Sequence, residues 1–111
     1  MRDLRDADRE RFRLVCLDLK LRVLACEESS VGLLDATLVH PREVFRTALL
    51  CGAASVALIH NHPSGCPEPS AEDRALTERL VAAGRIMGVE VVDHVIIGAS
   101  GFVSFSERGW L

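Results

Sequence analysis

The segment NHPSGCPEPS at residues 61–70 constrains the fold most, because it holds three of the four prolines of the chain. Proline lacks a backbone N–H and has a fixed φ angle, so this density predicts a loop. The mostly apolar run ASVALIH at 54–60 precedes the loop and is typical of a central strand covered on both sides. A helix with Ser70 as its N-cap is predicted to follow. The middle of the chain therefore predicts a strand, a constrained loop and a helix.

Period-2 and period-3.6 apolar patterns predict the remaining elements. The first two strands are expected to pair as a hairpin through Leu19 and Lys20, and Pro41 suits the first turn of a helix. This order predicts an α/β or α+β fold, with a mixed β-sheet flanked by helices. The predicted strands are 12–18, 21–28, 33–39, 54–60, 89–98 and 101–105, and the predicted helices are about 41–51 and 71–87. The predicted buried helix positions are Val44, Phe45, Ala48, Leu49, Leu76, Leu80, Ala83 and Met87.

Composition narrows the class of protein. The 111 residues suit one domain, and a net charge of −3 gives no global electrostatic footprint for nucleic acid. No apolar run reaches membrane-spanning length, and no signal peptide precedes the first strand. Of the four cysteines, Cys16, Cys26 and Cys51 are predicted in the core, and Cys66 is interpreted as a bystander in the loop. Free thiols without a secretory signal predict a cytoplasmic protein.

One group of residues indicates metal chemistry. His60 and His62 are separated by one residue at a strand end, so both imidazoles can point to the same side. Pro63 keeps His62 extended, and His62-Pro63-Ser64-Gly65 fits a tight turn. Asp73, in the first turn of the next helix, can supply a third zinc ligand and leave a fourth position to water.

Structural explanations compete with the metal site at each position. Two strand histidines can be hydrogen-bonded core residues without any metal. Ser70-Ala71-Glu72-Asp73 matches a helix-capping pattern, which taken alone favours a cap over a ligand for Asp73. His94, within an apolar strand, is interpreted as a satisfied core or surface histidine in preference to a hydrogen-bond partner of a metal ligand.

Four segments taken together resemble the RadC family of bacterial proteins: HPREVFRTAL, HNHPSGCPEPSAEDRALTERL, GVEVVDHVIIG and FVSFSERGW. The central signature H-x-H-x7-S-x2-D, formed by His60, His62, Ser70 and Asp73, is also that of the JAMM (MPN-type) metalloproteases. The resemblance implies a single JAMM/MPN-like domain over 1–111, a sandwich similar to that of cytidine deaminases. It also implies a zinc ion held by the two histidines and the aspartate.

The resemblance further implies a glutamate upstream of the histidines, near the first strand. Glu10 stands at that place and is favoured over Glu43, whose position at a helix N-terminus already explains its charge. Glu10 would act as base and then acid, and Ser70 would stabilise the oxyanion. The expected function is a zinc-dependent metallohydrolase, a peptidase or isopeptidase acting on an unidentified polypeptide.

The alternative is a non-catalytic or vestigial metal-binding module associated with DNA repair or mobile-element proteins. The net negative charge of the chain argues against direct nucleic-acid binding. A zinc deaminase is disfavoured, because that class needs H-x-E and C-x-x-C and the chain has neither. An exposed edge strand makes a homodimer an open expectation.

Overall fold

The computed structural model describes residues 10–32 and 40–111, so the strand predicted at 33–39 lies outside the described residues. The remaining predicted elements are present with bounds shifted by a few residues. The strands are β1 (Glu10–Leu17), β2 (Val23–Gly32), β3 (Ser55–Asn61), β4 (Glu90–Ile97) and β5 (Phe102–Ser104), and the helices are α1 (Pro41–Leu50) and α2 (Ala71–Met87).

The five described strands form one mixed sheet in the order β2-β1-β3-β4-β5. β1 is antiparallel to both β2 and β3, β3 is parallel to β4, and β4 is antiparallel to β5. The parallel pair β3 and β4 is joined by α2, because parallel neighbours need a crossover connection. This arrangement confirms the predicted α+β class. It also brings the ends of β3 and β4 together beside the start of α2.

The β1–β2 hairpin forms although its connection lacks the Asn-Gly or Asp-Gly pair typical of short turns. The Asp18 carboxylate accepts hydrogen bonds from the backbone N–H of Lys20 at 2.8 Å and of Arg22 at 2.9 Å. Leu21 adopts a φ of 61° in the same connection. The hydrogen bonds of the Asp18 side chain therefore stabilise this turn in place of the Asn-Gly or Asp-Gly pair.

Both described helices pack on the same sheet face. Phe12, Leu14 and Cys16 alternate along β1 and share one buried cluster with residues of α1 and α2. On β3, Val56 and Leu58 belong to this cluster, whereas Ala57 and Ile59 between them are only half-buried. No helix within the described residues has the length and hydropathy needed to cross a membrane.

Three predicted core positions were wrong. Leu49 is 51% exposed and Met87 is 48% exposed, because each lies near the last turn of its helix, beyond the edge of the core. Gly84 is buried in α2 instead of Met87 and packs against the Phe45 ring. Cys26 is exposed because strand alternation puts it on the opposite sheet face from Ala25, which packs against the buried cluster.

Cys16 is buried in the core, as predicted, and Cys51 is half-buried beside the same cluster. Burial, reinforced by the Cys51 side chain, raises the pKa of the Cys16 thiol to about 12. The thiol is therefore protonated and behaves as a small apolar group.

Candidate metal centre

The two histidines lie at the end of β3. His60 lies opposite Phe12 of β1 and Ile96 of β4, in the middle of three paired strands. β3 ends at Asn61, but the His62 N–H still donates to the Ile97 carbonyl at 2.9 Å, which extends the parallel pairing by one residue. His62 is thereby held extended beside His60, and their ring centroids are 4.8 Å apart.

The predicted turn after His62 is confirmed. The Gly65 N–H donates to the His62 carbonyl at 3.0 Å, and Gly65 has a φ of 94°, which favours glycine. The chain therefore reverses directly after the second histidine. The remaining loop then leads to Ser70, the N-cap of α2.

A capping box positions Asp73. Its backbone N–H donates to the Ser70 hydroxyl oxygen at 3.0 Å, and its carboxylate Oδ2 accepts from the Ser70 N–H at 2.9 Å. Oδ2 is also 3.0 Å from Nε2 of His62. The capping and ligand interpretations of Asp73 are therefore compatible, since one buried carboxylate can cap the helix and face both histidines. The Ser70 hydroxyl uses a lone pair in this cap and keeps its own hydrogen for another acceptor.

Three candidate ligands converge at the junction of β3 and α2. His60 Nε2 is 3.6 Å from Asp73 Oδ1, His62 Nε2 is 3.0 Å from Asp73 Oδ2, and one ligand atom from each residue lies within 4.8 Å of the others. Ligand atoms about 3.3 Å apart are expected around a tetrahedral zinc ion with bonds of ~2.0 Å. Two imidazole nitrogens and a carboxylate are donors that zinc accepts, so the residues fit the ion that the sequence predicts.

The electrostatics of the group suit a cation. Burial alone would raise the pKa of Asp73, but hydrogen bonds from His62 and Ser70, together with attraction to His60, hold it well below its usual range. The carboxylate is therefore ionised throughout the physiological pH range. A buried negative charge between two imidazoles provides the charge and the donors that a divalent cation needs.

The orientation of the His62 ring is fixed from behind by the loop. His62 Nδ1 lies 3.0 Å from the Cys66 backbone carbonyl, which can only accept a hydrogen bond. Nδ1 therefore carries a hydrogen, which leaves Nε2, the nitrogen that faces Asp73, as the ring atom that a metal ion can bind. The exposed Cys66 contributes its backbone oxygen here, a role that no side-chain pattern in the sequence could reveal.

His94 is fully buried and contacts a candidate ligand. Its Nε2 lies 3.2 Å from Nδ1 of His60, and its Nδ1 lies 2.6 Å from the Thr77 hydroxyl. Burial, followed by repulsion from His60, lowers the pKa of His94 to about 3, so the ring is neutral. His94 is therefore a satisfied core histidine, as the sequence favoured, and at the same time a hydrogen-bond partner of His60. Sequence reasoning missed Thr77, whose only signal is its place one helical turn after Asp73.

The two glutamates considered as a general base are placed differently. The backbone of Glu10 begins β1, two residues before Phe12, which is paired with His60. Asn61 holds this strand end, because its buried side-chain oxygen accepts from the Arg11 N–H. Glu43 is exposed in the first turn of α1, an element that holds none of the three candidate ligands.

Comparison with known proteins identifies the family. A family model described as RadC-like JAB domain matches residues 1–110. A UPF0758 protein of Desulforamulus reducens is 52% identical over 109 residues, which are 98% of this chain and 48% of that protein. A UPF0758 protein of Thermotoga maritima is 52% identical over 104 residues, which are 94% and 47% of the two chains. The chain thus spans about half the length of these relatives. As its sequence resemblance predicted, this chain belongs to the RadC-like JAB domain family.

Proposed function

We propose that this domain is a zinc-dependent hydrolase that cleaves peptide or isopeptide bonds. The observation that carries the proposal is the convergence of His60, His62 and Asp73, with ligand atoms within 4.8 Å of one another. Three protein ligands are typical of catalytic zinc sites, whereas structural sites use four. Family membership supports the same chemistry.

Glu10 and Ser70 would have different roles in the reaction. Zinc, when bound, supplies Lewis acidity that lowers the pKa of a water toward neutrality. Glu10 would accept a proton from the attacking water and pass it to the leaving amine, so that water and amide become a carboxylic acid and an amine. The Ser70 hydroxyl would donate its hydrogen to the carbonyl oxygen as negative charge develops there. The capping box that joins Ser70 to Asp73 supports this role, because it fixes the Ser70 hydroxyl at the start of α2.

The test combines metal analysis with a peptide-library cleavage assay on zinc-loaded protein. We expect about one zinc per chain, lost in His60→Ala, and cleavage that falls ~10²–10⁴-fold in Glu10→Gln, the range for a general acid–base group. Glu43→Gln is the matched control, because it removes the competing carboxylate from an exposed helix position.

Each outcome of this test has a definite meaning. Equal cleavage by the parent and Glu10→Gln would remove Glu10 from the mechanism, and selective loss in Glu43→Gln would assign the base to α1. Protein that carries no zinc and gains none on addition would overturn the proposal. Zinc binding without cleavage of any peptide would favour the non-catalytic metal-binding alternative.

A further inference from the structure

A chain of hydrogen bonds runs behind the metal group and joins two of its ligands. The Thr77 hydroxyl donates to the Asp73 backbone carbonyl at 2.9 Å and lies 2.6 Å from Nδ1 of His94. His94 Nε2 lies 3.2 Å from Nδ1 of His60. These three side chains are at most 2% exposed, so water cannot readily replace one partner with another. This series of hydrogen bonds therefore begins at the backbone carbonyl of Asp73 and ends at the imidazole ring of His60.

The positions of the hydrogens follow from what each group can do. The Asp73 carbonyl only accepts, so it takes the single hydroxyl hydrogen of Thr77. The Thr77 oxygen must then accept from Nδ1–H of His94. A neutral imidazole with its hydrogen on Nδ1 has a lone pair on Nε2, so His60 must donate its Nδ1–H to that nitrogen.

We propose that His94, oriented by Thr77, is a positioning residue that selects the Nδ1–H tautomer of His60. In the neutral ring of His60 the lone pair is then on Nε2, the nitrogen 3.6 Å from Asp73 Oδ1 and the one that faces the other candidate ligands. Since a metal binds only an unprotonated nitrogen, His94 prepares His60 for the ion before the ion arrives. The proposal rests on the proposed function in that zinc is the expected ligand.

The surroundings of His94 keep its ring in the required orientation. Phe105 stacks on the ring with centroids 4.7 Å apart and an angle of 22° between planes. The Asp93 carboxylate accepts from the backbone N–H of His94 at 2.7 Å and from the Ser104 hydroxyl at 2.7 Å, which ties β4 to β5 at this residue. A side chain held in this way can transmit a directional preference to His60.

A purely structural role for His94 predicts different behaviour. Burying an imidazole costs free energy that an apolar side chain does not, so a packing role would tolerate phenylalanine at a fully buried position beside Phe105. A positioning role would not tolerate it, because phenylalanine cannot accept the His60 hydrogen. Glutamine would restore an acceptor, and Thr77→Val would remove the hydroxyl with little change in volume.

The first test is ¹⁵N-detected NMR of the histidine rings in the metal-free chain. We expect His60 of the parent to hold its hydrogen on Nδ1, and Thr77→Val and His94→Phe to lose this preference. The parent spectrum needs no substitution, so the proposal stays testable if a variant does not fold. Finding the hydrogen of the neutral His60 ring on Nε2 in the parent would overturn the proposal, whether or not the protein is an active hydrolase.

The second test is zinc affinity, measured by competition with a chromophoric chelator. Loss of a hydrogen-bond partner behind a ligating histidine typically weakens metal binding 10–100-fold, which we expect for His94→Phe, with partial recovery in His94→Gln. Phe45→Leu is the control, since it trims a buried aromatic ring on α1 and leaves the hydrogen bonds of His94 in place, and its loss should be well under ~10-fold. Parent-like affinity in folded His94→Phe would contradict the proposal.

Discussion

At the scale of single residues, the spacing of the ligands could be predicted, but their supporting contacts could not. His60 and His62 follow from strand alternation, and Asp73 follows from its place in the first turn of a helix. Thr77 and the Cys66 carbonyl were missed, because their contacts depend on how a helix and a loop pack behind the strand. The sequence also presented capping and metal binding by Asp73 as alternatives, whereas its two carboxylate oxygens serve both geometries.

The buried His94 predicts a specific pH dependence of stability. Its pKa is about 3 in the folded protein, against an ordinary 6.5, so the unfolded chain binds a proton that the folded protein does not. Its contribution to stability is therefore fully present above pH 6.5 and is lost as the pH falls toward 3, by up to ~1.4 kcal/mol per pH unit.

Urea unfolding of the metal-free protein between about pH 7 and pH 5 measures this dependence. We expect the free energy of unfolding to fall more steeply with decreasing pH in the parent than in His94→Gln. His40→Gln, which alters an exposed histidine, should keep the slope of the parent. Equal slopes in the parent and His94→Gln would show that His94 titrates normally in the folded state.

At the scale of secondary-structure elements, periodicity predicted the strands and helices but misplaced the ends of the buried stripes. On α2, Leu76 and Leu80 are buried as predicted, but the stripe continues through Gly84 and leaves Met87 exposed. A sequence pattern cannot show how far along α2 the packing against the rest of the core extends. It also could not show that Cys26 lies on the face of β2 opposite to Ala25, away from the buried cluster.

Gly84 allows the close approach of α2 to its neighbours. A Cβ at this position would overlap the Val89 carbonyl oxygen and lie 3.3 Å from the Phe45 ring. We expect Gly84→Ala to destabilise the protein by ~1–3 kcal/mol despite the higher helix propensity of alanine, because the added carbon enters a packed site. Chemical unfolding measures the change.

The matched control for this helix is Ala75→Ser on the exposed face of α2, which should change stability by at most ~0.5 kcal/mol. Gly84→Ala with stability equal to or above that of the parent would mean that α2 can move away from the Val89 carbonyl at little cost.

At the scale of the whole molecule, the candidate ligands join β3 to α2, so metal binding should stabilise the fold. A ligand present at 100 times its Kd, and bound only by the folded state, contributes ~2.7 kcal/mol. We therefore expect added zinc to raise the Tm by ~10 °C relative to chelator-treated protein.

The thermal shift can be assigned to the site with two variants. His62→Ala should abolish most of it, whereas Cys26→Ser, which alters an exposed thiol on β2, should retain it. A shift that persists unchanged in His62→Ala would place the stabilising zinc elsewhere on the protein.

The homodimer expected from the exposed edge strand stays a prediction.

The most direct measurement of the central claim is anomalous diffraction at the zinc absorption edge, on crystals grown with zinc. We expect one strong peak within ~2.0–2.2 Å of His60 Nε2, His62 Nε2 and an Asp73 carboxylate oxygen. A peak held by other residues, or no peak together with an Asp73 side chain turned toward solvent, would contradict it.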